Sequence, residues 1–159
     1  MRIVTAEGFE IDHWQLVGDD EAALPAGAIL PLARWQRESP AGGVSPFGLL
    51  LRADDPRDAI VAAAPRCPLI AIEFARFTDG RGYSLARLVR ANGFTGDLRA
   101  VGEVLRDQAF LLARCGFTSM APDAHVDSDD FIRGLADFSV SYQPAADDRT
   151  VISRLRRAR

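Results

Sequence analysis

Leu69-Ile70-Ala71-Ile72-Glu73-Phe74-Ala75-Arg76-Phe77-Thr78-Asp79-Gly80-Arg81-Gly82-Tyr83-Ser84 opens with a near-continuous apolar run broken only by Glu73. Such a run is typical of a strand covered on both faces, and so of a parallel sheet. Beyond the loop, the spacing predicts a helix over 83–91 with Leu85, Leu88 and Val89 on one face. The alternation of strand and helix continues in both directions. Upstream, Phe47-Gly48-Leu49-Leu50-Leu51 reads as a strand. Asp55 as N-cap, Pro56 at the first helical position and Asp58 in the first turn then start a helix bearing Ile60, Val61 and Ala64, which Pro65 and Pro68 end. Downstream, Leu98–Gly102 is a strand, and 103–115 a helix with Val104, Leu105, Gln108, Leu112 and Cys115 at helical spacing. Thr118–Ala121 is a short strand, and a last helix starts near Asp127 or Ser128 with Phe131, Ile132, Leu135 and Phe138 facing in. About four successive βα units define an α/β fold with a parallel sheet, either an open doubly wound sheet or half of a (β/α)8 barrel. In both, ligands gather beyond the C-terminal strand ends, which singles out the loops after residues 51, 74, 102 and 121.

Residues 1–43 read as strands and turns. Ile3-Val4 and Phe9-Glu10-Ile11 flank Glu7-Gly8 as in a β-hairpin, Pro and Gly punctuate the rest, and Trp14 and Trp35 cover one edge of the core. The expected organisation is one α/β domain over 1–148, with this segment preceding the βα units of 44–139, and a basic tail over 149–159. At 159 residues the chain is long enough to bury a substantial core.

Composition removes several classes of chemistry. All 19 basic residues are arginine, so no lysine is present for a Schiff base, pyridoxal attachment or a P-loop. Cys67 and Cys115 make neither a disulfide framework nor a CxxC motif, and His13 and His125 have no metal-ligand spacing, so no metal site is expected. There is no fingerprint for NAD, flavin or an iron–sulfur cluster. Met1–Gly8 contains no apolar h-region and no apolar stretch is long enough to span a bilayer, which makes a cytoplasmic location the economical expectation. The tail has five arginines and no aromatics, a poor basis for nucleic-acid binding. Residues 76–106 carry six arginines against three acids, an island that suits an anionic ligand or partner unless its arginines pair with the acidic flanks.

Within that island, Asp79, Gly80, Arg81, Gly82 and Ser84 form the candidate anion-binding loop. Two glycines bracket an arginine where a helix begins, and free backbone N–H groups and the helix dipole favour a small anion there. The plain alternative is a tight turn. Glu73 and Arg99 are charges inside apolar strands; on neighbouring strands they are expected to meet, as a site or as a pair fixing register. Arg99 would add charge to the anion, and Glu73 or Tyr83 would move protons. Glu103, Arg106 and Asp107 are supporting candidates, with Asp107 expected to pair near Arg106 or with Arg81.

The blocks Phe77-Thr78-Asp79-Gly80-Arg81-Gly82-Tyr83-Ser84-Leu85-Ala86-Arg87-Leu88, Leu98-Arg99-Ala100-Val101-Gly102-Glu103-Val104-Leu105-Arg106-Asp107-Gln108 and Cys115-Gly116-Phe117 resemble the bacterial family catalogued as domain of unknown function number 934. Glu103 stands where that pattern commonly has aspartate. The resemblance implies a role in sulfate assimilation, and members carry the label of oxidoreductase without an established reaction. Two functions are therefore expected. One is an accessory protein of sulfite reduction that docks on sulfite reductase or its electron donor. The other is a small oxidoreductase binding an oxyanion or phosphate-bearing cofactor at the Asp79–Ser84 loop.

Overall fold

The N-terminal hairpin forms as expected. In the computed structural model, which describes residues 1–139 together with Ser141, Pro144, Ala145 and Val151, β1 (Arg2–Thr5) pairs antiparallel with β2 (Gly8–Ile11), Thr5 opposite Gly8. The chain then enters the parallel sheet earlier than its sequence suggests, through β3 (Gln15–Leu16), β4 (Ala28–Pro31) and α1 (Leu32–Glu38). Residues 1–43 are thus not only strands and turns. Helix α1 has no side-chain cap and no acid in its first turn, and it forms because Leu32 and Trp35 are buried.

The remaining units are β5 (Gly48–Leu51), α2 (Arg57–Ala63), β6 (Leu69–Phe74), α3 (Arg81–Ala91), β7 (Asp97–Gly102), α4 (Ala109–Arg114), β8 (Ser119–Met120) and α5 (Ser128–Gly134). Three boundaries differ from the sequence expectation, each for a local reason. Pro56 rather than Asp55 takes the N-cap position of α2, because the Asp55 carboxylate accepts the Arg52 N–H at 2.6 Å in the preceding turn. Helix α3 starts two residues early, at Arg81, whose N–H is accepted by Asp79 at 3.0 Å. The expected helix over 103–115 shrinks to a 3-10 turn (Arg106–Gln108) plus α4, since Gly102 turns left-handed at φ 92° and throws residues 103–105 into a loop. By contrast α5 begins as predicted, with Asp127 accepting from the N–H groups of Asp129 and Asp130. Phe138 is not inward-facing but exposed.

The sheet order is β2-β1-β8-β7-β6-β5-β4-β3, with β3 to β8 parallel and β1 antiparallel to β8. Parallel strands that follow chain order without reversal have no switch point, which separates a curled half-barrel from a doubly wound sheet. The alternation along β6 sorts the two faces. Ile70, Ile72 and Phe74 join the large core shared with the helices, while Leu69 and Ala71 face the opposite side with Ile29, Leu50 and Val101. Trp35 lies in the helix-side core and Trp14 packs on the other face against Ile29 and Leu69, so the two tryptophans cover opposite faces. Among the described residues no helix is long and apolar enough to cross a membrane. The basic tail 149–159 lies outside the described residues, Val151 excepted.

Candidate functional site

The loop between β6 and α3 is held by side chains from the unit that follows it. The Glu103 N–H donates to the Phe74 carbonyl at 2.8 Å, and the Glu103 carboxylate accepts the Phe77 N–H at 3.0 Å. Buried Gln108 donates to the Phe77 carbonyl at 2.9 Å and to the Tyr83 hydroxyl at 3.3 Å, while its oxygen accepts the Leu105 N–H at 2.9 Å. Both backbone polar groups of Phe77 are therefore clamped, yet its ring is 51% exposed. Replacing Gln108 with Ala strands the Phe77 carbonyl and the Leu105 N–H. It is expected to lower stability by about 1–2 kcal/mol in denaturant unfolding and to speed amide exchange at Phe77.

Asp79, Gly80, Arg81, Gly82, Tyr83 and Ser84 do come together at the start of α3, but their bonding differs from an open anion cradle. Asp79 takes the Arg81 backbone N–H and grips its guanidinium with both oxygens, at 2.8–3.1 Å. Asp54, from the loop after β5, accepts from the third guanidinium nitrogen, Nη1, at 2.6 Å. The Arg81 side-chain hydrogen bond, reinforced by its backbone N–H, holds the Asp79 pKa down at about 2, and the two carboxylates push the Arg81 pKa up. Gly80 has φ −74° and open space around it. Gly82 is required by packing instead: a Cβ there would sit 2.6 Å from the Phe74 ring. Ser84 is exposed.

Tyr83 is half-buried, edge-on to Phe74 at 5.2 Å, and burial raises its pKa against the opposing hydrogen bond from Gln108. Its proton is thereby held more firmly than in water.

Glu73 and Arg99 do not meet. They share a face of neighbouring strands, but the register sets Glu73 opposite Val101 and Arg99 opposite Ala71. Glu73 pairs with Arg52 at 2.8 Å near the C-terminal end of β6. Arg99 lies about 10 Å short of that end of β7 and takes no part in the Asp79–Ser84 loop. It is 1% exposed and binds Asp97 at 2.7 Å, Asp12, and the Ser119 hydroxyl at 2.9 Å.

Arg106 fastens its 3-10 turn to α5 and the segment beyond through Asp130 and Asp137. Asp107 is exposed and makes no ion pair among the described residues; Arg81 is held elsewhere. Much of the basic island is thus engaged: Arg81, Arg99 and Arg106 pair with acids, and Arg90 keeps its charge but donates to the carbonyls of Phe94, Gly96 and Gly116. Arg76 and Arg87 stay exposed without an ion pair among the described residues.

Sequence reading missed Phe77 as a presented side chain, and Asp12, Asp54 and Asp97 as partners. Only Asp97 left a signal, being two residues from Arg99 and so on the same strand face.

A half-barrel of βα units, with the loop after its central strand clamped at the C-terminal rim, defines the class of protein. Residues 48–152, more than half of the chain, match the family described as bacterial protein of unknown function (DUF934), and the chain belongs to that family. No curated protein and no solved structure matches it.

Proposed function

We propose that this chain is a cytoplasmic accessory protein of assimilatory sulfite reduction that docks on the reductase or its electron donor through the C-terminal rim of the half-barrel. The sulfur-assimilation context is what the family resemblance implies. The docking mode rests on one observation, the exposed Phe77 ring carried on a backbone clamped by Glu103 and Gln108. Aromatic side chains dominate interface energetics, and a preorganised loop loses little entropy on association. Arg76, exposed beside Phe77, supplies a charge for orientation. The alternative, an oxyanion or phosphate-bearing cofactor on Arg81, is less well supported. Arg81 already serves two carboxylates, and an incoming anion would be repelled by Asp54 and Asp79.

The test is complementation of a deletion strain with sulfate as sole sulfur source. Wild-type chain and Arg81→Ala are expected to restore growth, and Phe77→Asp to fail at equal protein level, with all strains growing on cysteine. Full rescue by Phe77→Asp would sink the docking surface. Selective failure of Arg81→Ala would favour the anion site.

A further inference from the structure

A second recess lies far from Phe77. It is a cleft of about 1170 Å³ bordered by the N-terminal hairpin, the starts of β7 and β8, and α5. Its walls include Ile3, Phe117, Ile132 and Leu135, and its polar end holds Asp12, His13, Asp97, Arg99 and Ser119. That combination of apolar walls and a few converging polar groups is the usual form of a small-molecule site.

The hydrogen-bonding capacity at the polar end is one-sided. Most of the Arg99 guanidinium is engaged: its Nε goes to Ser119 and one terminal nitrogen to both Asp12 and Asp97, while the other only touches the Met1 sulfur at 4.0 Å. The Thr118 and Ser119 hydroxyls donate to Asp97 at 2.6 and 2.8 Å. His13 sets its Nδ1 3.0 Å from Asp12. The imidazole is 72% exposed yet fixed: it lies 5.2 Å from the Trp14 ring, and its Cδ2 closes over Gly27, where a Cβ would come within 2.8 Å. The charge lining the cleft is mostly negative. Two carboxylates share one buried guanidinium, and Glu7 and Glu10 add negative charge at the lip.

We infer that this cleft binds an organic cation with an apolar body, a protonated amine, amidine or guanidine. Its charged end is received by Asp97 and Asp12, and its body by the Ile3, Phe117 and Ile132 walls. A cation offsets the four carboxylates of the lining, Glu7, Glu10, Asp12 and Asp97, which face the single guanidinium of Arg99. This inference is independent of the docking proposal, and neither fails with the other.

Calorimetric titration of the full chain with benzamidinium tests it, with benzyl alcohol and benzoate as probes of the same ring without the positive charge. Benzamidinium is expected to saturate one site, and the two controls to bind about ten-fold or more weakly, the difference made by one charge-assisted hydrogen bond. Asp97→Asn is expected to weaken benzamidinium about ten-fold. Because Asp97 also receives three internal donors, the exposed-lip variant Glu7→Gln/Glu10→Gln serves as the second readout. It leaves the core untouched and is expected to weaken binding about two- to three-fold, with a reduced salt dependence. No saturation by benzamidinium, equal binding of benzyl alcohol, or preference for benzoate each overturns the inference.

Discussion

Replacing Arg99 with Met is expected to remove about 3–5 kcal/mol of stability at neutral pH, seen as a large fall in the denaturant midpoint. The methionine fills the volume, but Asp12 and Asp97 then face one another without the guanidinium that both now bind. The pH dependence carries the diagnosis. In the wild-type chain burial tends to raise the Asp12 pKa, but the hydrogen bond and charge of Arg99, with the N–H groups of Trp14 and His13, outweigh it and leave the pKa lowered. Asp12 therefore contributes stability that is complete above the unfolded-state value of about 3.9 and is lost as pH falls through its lower folded-state value. Without Arg99, burial and the neighbouring carboxylate are expected to raise that pKa, so acidification should at first recover stability in Arg99→Met while wild type does not gain. Parallel loss of stability in the two proteins between pH 7 and 4 would contradict the assignment.

The second large effect is Gly102→Ala, expected to destabilise by about 3 kcal/mol or more. Gly102 sits at φ 92°, and a Cβ there would lie 2.5 Å from the Phe74 carbonyl oxygen, a backbone atom that cannot swing aside. The same turn sends the Glu103 N–H to that carbonyl and the Glu103 carboxylate to Phe77, so the substitution should also release the 75–80 loop. Gly80→Ala makes the contrast. With φ −74° and nothing within 4 Å, it is expected to be neutral or to stabilise by about 0.4–1 kcal/mol. Thermal unfolding of the two variants side by side separates the glycine that shapes the rim from the one that does not.

The β6 segment made the fold class legible because a buried parallel strand leaves an uninterrupted apolar run, and the flanking units repeat that pattern at helix-and-strand spacing. Sheet curl was not legible: open and half-barrel sheets use the same local units and differ only in strand order. Helix α1 escaped because it is seven residues long, lacks a capping side chain and follows a Pro-rich stretch. At the rim, the sequence located the Asp79–Ser84 loop but gave no sign that Gly82 is needed for packing against Phe74, eight residues earlier. Glu73 and Arg99 were correctly placed on one face, yet a two-residue offset along the strands gave each a different partner. Asp12 lies 87 residues from Arg99, and no local pattern announces a pair at that separation. Phe77 was invisible for a related reason: its exposure depends on Glu103 and Gln108, which reach back across 26 and 31 residues.

The most direct test of the docking account is the affinity of the purified full chain for purified sulfite reductase and for its electron donor, measured for wild type, Phe77→Ala and Gln108→Ala. The prediction is saturable binding to one of the two components, weakened about ten-fold or more by Phe77→Ala and by a smaller factor when the clamp is loosened in Gln108→Ala. Absence of binding to either component, or binding that ignores Phe77, would contradict it.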